Sequence, residues 1–185
     1  MATDIMRHTV FKTPWGYFGL ACRDGLVCRT VLPAPSRDAA REALLTEAGP
    51  DEVPFERGLL SILQDRINAY FEGEKVDFST DPAVDLSHFS PFSRAILMAC
   101  RQIDMGQKQT YTQLAEAAGR PHAARAVGNV MAHNPIPLIV PCHRVVRTDG
   151  GLGGFSAIGG TAMKERMLIH ERSRERTFSF AGVGG

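Results

Sequence analysis

The chain has 185 residues, 44% of them apolar and 22% charged, with a net charge of +1 and four cysteines. This composition suits one ordinary domain or two small ones with real cores, and it excludes a disordered, collagenous or disulfide-dense chain. No apolar run is long enough to span a bilayer, and residues 1–8 lack the apolar core of a signal peptide, so reduced thiols in the cytoplasm (the nucleus in a eukaryote) are expected.

Taken in order, the first half opens with short β-like runs at residues 9–12, 17–22 and 26–32. Thr13-Pro14-Trp15-Gly16 breaks the first pair, and Arg23-Asp24-Gly25 breaks the second with the Asp-Gly signal of a tight hairpin. Residues 36–48 read as a helix capped by Ser36 and stopped by Gly49-Pro50. Leu59, Leu60, Leu63, Ile67, Tyr70 and Phe71 then recur at helical spacing before Gly73. Nothing in this half has the look of an active site. Trp15 reads as turn packing, and Cys22 and Cys28 as half-buried strand cysteines rather than metal ligands, since four ligands cannot be placed.

Residues 81–91, with two prolines and few periodic apolar positions, read as a linker. Ser90-Pro91 then starts a helix to about residue 104, with Phe92, Ile96, Leu97 and Cys100 on one face. Thr112 starts a short helix over 113–118 that Gly119 ends, and Pro121 opens another through His133. Two short helices so joined form a helix-turn-helix. The second is rich in small residues (Ala123, Ala124, Ala126, Gly128, Ala132), which suits either tight internal packing or close approach to a DNA groove with Arg125 projecting.

Charge is uneven along the chain. Residues 1–93 hold nine Lys/Arg against fourteen Asp/Glu, whereas residues 94–147 hold seven against two. A polyanion partner and a merely solvated basic surface both fit this excess.

The most informative stretch is residues 141–146, Pro-Cys-His-Arg-Val-Val, preceded by Asn-Pro-Ile-Pro-Leu-Ile-Val. A thiol beside a proton acceptor can become the thiolate, the form that attacks carbon. With Tyr111 and the run Arg-Pro-His-Ala-Ala-Arg-Ala-Val-Gly-Asn-Val-Met at 120–131, the region from about Phe92 to Glu171 resembles the O6-alkylguanine-DNA alkyltransferases, the methylated-DNA–protein-cysteine methyltransferases. The resemblance implies an α/β protein. A small N-terminal α/β domain (1–86), with a ribonuclease H-like three-stranded sheet, precedes a mostly helical winged helix-turn-helix domain (87–178) and a flexible tail (179–185).

It also implies a single-use transfer of the alkyl group from O6-alkylguanine, and from O4-alkylthymine, in double-stranded DNA to Cys142. No cofactor and no metal are implied, and the protein is expected to be monomeric. His143 would be the base and Glu171 its orienter, the ring being held in one tautomer by the carboxylate. Adjacent residues of an extended strand face opposite ways, so Cys142 and His143 are not expected to touch, and the family bridges them with a water. Tyr111 would help rotate the nucleotide and protonate the leaving guanine. Asn134 would brace the turn before the cysteine.

The same resemblance gives Arg125 the place of the extruded base, with Ala123, Ala124, Thr110 and Gly128 against DNA in the minor groove. Met131, Pro137, Val145, Phe155 and Ser156 would line the substrate pocket. The carbonyls of Cys142 and Val145 would accept from guanine, and Ser156 N–H would donate to the alkylated oxygen. Three departures from the family pattern stand out: Phe155 in place of a tyrosine, a longer segment 155–161 carrying Ile158, and Ala132 in place of an arginine. A DNA-binding module without chemistry is excluded by the presence of Cys142. A cysteine hydrolase using Cys142, His143 and Glu171 would need an oxyanion hole, and no glycine-rich candidate stands beside the thiol.

Overall fold

Three antiparallel strands, β1 (Met6–Thr13), β2 (Gly16–Arg23) and β3 (Leu26–Ala34), form a sheet in the order β1-β2-β3. The structure, a computed structural model, describes residues 6–46 and 53–179, without the side chains of 173–179. Gly49-Pro50 and the tail beyond Ser179 lie outside the described residues, but the first helix, expected through residue 48, already ends at Leu44. Asp24 and Gly25 both take positive φ (49° and 79°), the geometry of a two-residue turn whose twist matches the strands it joins. The strands run longer than the apolar runs alone indicate, because backbone pairing continues to Met6↔Arg23 and Thr13↔Gly16.

Helix α1 (Arg37–Leu44) is capped by the Ser36 hydroxyl, which accepts from Ala39 N at 3.1 Å, and it packs Ala40 and Leu44 onto the sheet. Helix α2 (Ser61–Glu72) buries Leu63, Ile67, Tyr70 and Phe71, and Gly73 ends it with φ 94°.

The segment read as a linker is not loose. Val27 N–H donates to Ala83 O (2.9 Å) and Asp85 N–H to Val27 O (2.8 Å), so residues 83–85 run along β3, and Leu86 is buried. Few periodic apolar residues made it look like a tether, but its backbone satisfies the edge of the sheet.

Helix α3 (Pro91–Arg101) begins as its Ser-Pro start predicts and ends three residues earlier than expected, in the turn Gln102–Gln107. Strand β4 (Gln109–Thr110) leads into α4 (Tyr111–Ala117), where Thr110 and Gln113 bond reciprocally to each other's backbone N–H. The cap is therefore Thr110, not Thr112, and Tyr111 sits in the first helical turn. Helix α5 (Ala124–Ala132) starts later than Pro121 suggested. His122 takes φ 69°, which lengthens the turn and leaves Pro121 outside the helix.

One turn of 3₁₀ helix, Cys142–Arg144, then precedes β5 (Val145–Val146), which pairs in parallel with β4, and α6 (Gly160–Ser179) is the last described element. A single apolar cluster unites the two halves, with Phe18, Leu20, Ile67 and Tyr70 joined to Ile96, Leu97, Leu114 and Met167. Trp15 does more than pack a turn. Its ring lies 5.3 Å from Phe71 and 4.9 Å from His170, with the Arg166 guanidinium 3.7 Å above it, so the first hairpin grips α6.

Candidate active site

Cys142 is not on a strand. The turn Cys142–Arg144 is made by Arg144 N–H donating to Pro141 O (2.8 Å) and Val145 N–H to Cys142 O. This corrects the expectation drawn from strand alternation, because a tight turn places Cys142, His143 and Arg144 all inside the protein. The thiol and imidazole still do not meet directly. His143 Nε2 lies 2.7 Å from Glu171 Oε1, and its buried Nδ1 has no hydrogen-bond partner among the described residues. With Glu171 ionised, Nε2 carries the proton and Nδ1 presents a lone pair.

Glu171 lies on α6 and is 2% exposed. Tyr70 Oη, His143 Nε2 and Arg144 Nη2 converge on Oε1 at 2.9, 2.7 and 2.9 Å. Arg144 Nε and Gly106 N donate to Oε2 at 3.0 and 3.1 Å. Burial pushes the carboxyl pKa up, but His143 and Arg144 more than offset it and hold the group well below the usual carboxylate range. Burial lowers the pKa of His143, with Glu171 opposing, so the ring is neutral and available as a base.

Arg144, counted with the basic stretch in the sequence, is no surface cation. Besides Glu171, its guanidinium donates to Ile103 O at 2.5 Å. Burial also raises the thiol pKa of Cys142, against a hydrogen bond from Asn134 and the nearby charge of Lys164. The resting group is therefore the thiol, and its proton must leave as reaction begins.

The approach to the cysteine is braced from both ends. Asn134 Nδ2 donates to Val140 O (2.8 Å), and its Oδ1 accepts from Ile136 N (3.1 Å). Leu138 takes φ 77°, a conformation that costs a branched side chain about 1–2 kcal/mol. Thr30 of β3 helps hold this segment, its N–H donating to Pro135 O (3.0 Å) and its hydroxyl to Pro137 O (2.7 Å).

Tyr111 is half-buried, its phenol pKa raised by burial and by Cys142. Gly153 (φ +71°) lies so near that a Cβ there would sit 2.6 Å from the Tyr111 hydroxyl, and Gly128 passes the same ring at van der Waals distance. Lys164 of α6 is buried and donates to Val145 O at 2.6 Å, with the Tyr111 and Phe155 ring centroids 6.0 and 5.9 Å from its ammonium. The Val145 carbonyl thus already has a donor and keeps one lone pair for another. Met131 and Pro137 are buried, Phe155 is half-buried, and exposed Ser156 donates its hydroxyl to Ala132 O at 2.6 Å.

Arg125 is exposed on α5, while Ala123, Ala124, Gly128 and Thr110 are partly exposed around it. A cavity of about 780 Å³ opens beside Cys142, reaching Ser156 and Ile158 on one side and Cys28 and Leu32 of β3 on the other. Ile158 also packs on sheet residues of both smaller apolar clusters, so the long 155–161 segment is seated on the N-terminal half. Among the described residues no group of His, Cys, Asp and Glu could hold a metal ion, and no helix is long and apolar enough to cross a membrane.

Sequence reasoning missed Tyr70, Lys164, Gly106 and the role of Arg144. The N-terminal half, read as having no part in the site, supplies the Tyr70 hydroxyl. Lys164 and Glu171 lie seven apart on one helix face with buried Met167 between them, a pattern that marks ions turned inward.

A family model described as "6-O-methylguanine DNA methyltransferase, DNA binding domain" matches residues 91–173. A methylated-DNA–protein-cysteine methyltransferase of Cricetulus griseus is 36% identical over 178 residues, covering 90% of this chain and 82% of the relative. The Mus musculus protein of the same name is 37% identical over 175 residues, with 90% and 81% covered. Among solved structures, that of Mycobacterium tuberculosis OGT in complex with DNA is similar with a TM-score of 0.75 at 31% identity, covering 91% of this chain and 94% of the other.

Proposed function

The chain belongs to the methylated-DNA–protein-cysteine methyltransferases, which repair DNA by alkyl transfer, and from this premise we propose that Cys142 is its single-use acceptor for the alkyl group of O6-alkylguanine. O4-alkylthymine is its second substrate. The observation that carries the reading is the buried relay Glu171–His143, 2.7 Å long, with the buried Nδ1 of His143 left without a partner one residue along the chain from the buried Cys142.

The steps balance as follows. His143 takes the thiol proton at Nδ1 through one bridging water, and Glu171 stabilises the imidazolium that forms. The sulfur then attacks the alkyl carbon as the carbon–oxygen bond breaks, and the electron pair leaves on guanine. Tyr111, close enough to Cys142 for the two to interact electrostatically, donates its hydroxyl proton to that leaving group and recovers one from the imidazolium by way of solvent. The product thioether has no leaving tendency, so the protein stops after one event.

To reach the thiol, the lesion leaves the duplex at a cost of a few kcal/mol, less for a base that pairs badly. Arg125 fills the gap in the stack, while Ala123, Ala124, Thr110 and Gly128 allow α5 and the start of α4 to lie close in the minor groove. Asn134 braces the turn; Met131, Pro137, Val145, Phe155 and Ser156 shape the pocket. The protein acts as a monomer of two domains, 1–86 and 87–178, in the cytoplasm or, in a eukaryote, the nucleus.

The test is a titration of duplex carrying methyl-labelled O6-methylguanine with increasing protein. Restored guanine is expected to equal the protein added, mole for mole, and then to stop. Continued turnover, or no label on protein, would refute the reading.

A further inference from the structure

The five donors that meet Glu171 come from four residues in three places along the chain, and one of them belongs to the N-terminal half. Tyr70 lies near the end of α2, fully buried, 101 residues before the carboxylate its hydroxyl touches at 2.9 Å. Its oxygen target is Oε1, the same atom that holds His143.

The tyrosine is fixed on every side. Its carbonyl lies 2.7 Å from His170 Nε2 on α6, and its ring packs edge-on against Phe71 (5.0 Å) and His170 (5.4 Å). We infer that Tyr70 is a positioning residue for alkyl transfer: its hydroxyl fixes the Glu171 oxygen that orients His143, so that the N-terminal half takes part in the chemistry.

Three donors share the charge on Oε1, so each bond is weaker than it would be alone. Removing the Tyr70 hydroxyl leaves more of that charge for His143, which stabilises the imidazolium and raises the pH at which the ring becomes a base. The charged and titratable groups acting on this pair are Tyr70 on α2, Arg144 on the turn and Lys164 on α6. Burial and Glu171 push the Tyr70 phenol far above its ordinary range, so it remains a donor throughout the working pH.

This inference rests on the reading of His143 as the base, and the experiment separates the two. Single-turnover alkyl transfer to the full chain from duplex O6-methylguanine is followed against pH for the unaltered protein, Tyr70→Phe, Leu63→Ala and His143→Gln. The acid limb is expected to move up by about half to one pH unit in Tyr70→Phe. It is expected to stay in place in Leu63→Ala, which loosens the same helix without reaching Glu171, and to vanish in His143→Gln.

A limb unmoved in Tyr70→Phe, or moved equally in Leu63→Ala, overturns the inference while leaving His143 as base. A limb that persists in His143→Gln overturns both. A second readout needs no change at Tyr70, should Tyr70→Phe fail to fold. The slowly exchanging hydroxyl proton of Tyr70 is expected to shift in the NMR spectrum with the midpoint of the acid limb, and a resonance indifferent to that titration overturns the inference.

Discussion

Glu171→Gln keeps the volume of the side chain and removes its charge. All five of the bonds that Glu171 accepts present hydrogens to it. A glutamine has one oxygen to offer, and its N–H₂ must face either Tyr70, His143 and Arg144 Nη2, or Arg144 Nε and Gly106 N. Either way donors confront donors, and buried Arg144 loses its counter-ion. Breaking such a pair costs about 3–5 kcal/mol.

At 2% exposure Glu171 is too buried for solvent screening to reduce that figure. Against a total stability of roughly 5–15 kcal/mol, the melting temperature falls by about 6–20 °C. The rate falls too, since His143 no longer has a carboxylate to hold its proton on Nε2 and keep Nδ1 free. A decrease of at least ~100-fold in single-turnover transfer is expected below the new melting point. Calorimetry and quenched-flow transfer from duplex O6-methylguanine measure the two effects. A melting temperature within about 2 °C of the original, with a rate within about threefold, would refute the reasoning.

Three further outcomes follow from the same geometry. Arg125→Ala is expected to slow repair in duplex by about tenfold or more while leaving reaction with a free O6-alkylguanine base within about twofold, and equal losses on both would remove Arg125 from base extrusion. Lys164→Met withdraws the charge that lowers the Cys142 thiol pKa and the donor on Val145 O, so transfer slows by about tenfold and about 1.5–3 kcal/mol of stability is lost, read by transfer kinetics and denaturation. His143 and Glu171 both have folded pKa values below their ordinary 6.5 and 4.5, so the folded state binds fewer protons than the unfolded chain; the stability they contribute is full above pH 6.5 and is lost as pH falls through 4.5 and below, as urea midpoints against pH can check.

Much of this was legible in the residues. Apolar alternation and Asp24-Gly25 gave the three-stranded sheet, and Ser36, Ser90-Pro91 and Gly73 gave helix ends, because those signals act within a few residues of themselves. The family motif around Cys142 named His143, and the resemblance of the closing helix at residues 164–171 named Glu171. What stayed hidden depends on approach between distant segments. Tyr70 reads as one more apolar position of α2 until α6 brings Glu171 to its hydroxyl. Arg144 reads as surface charge until the turn at Cys142 points it inward. The turn before α5 was misjudged because His122 adopts a backbone conformation that its side chain does not advertise.

The central claim is that one buried thiol, Cys142, ends as the alkyl carrier. The direct measurement is the intact mass of the protein after incubation with a duplex bearing O6-methylguanine, followed by peptide mapping. The account predicts one added methylene per chain, on the peptide containing Cys142, with Cys22, Cys28 and Cys100 unmodified. An unchanged mass, or a methylene on another cysteine, would contradict it.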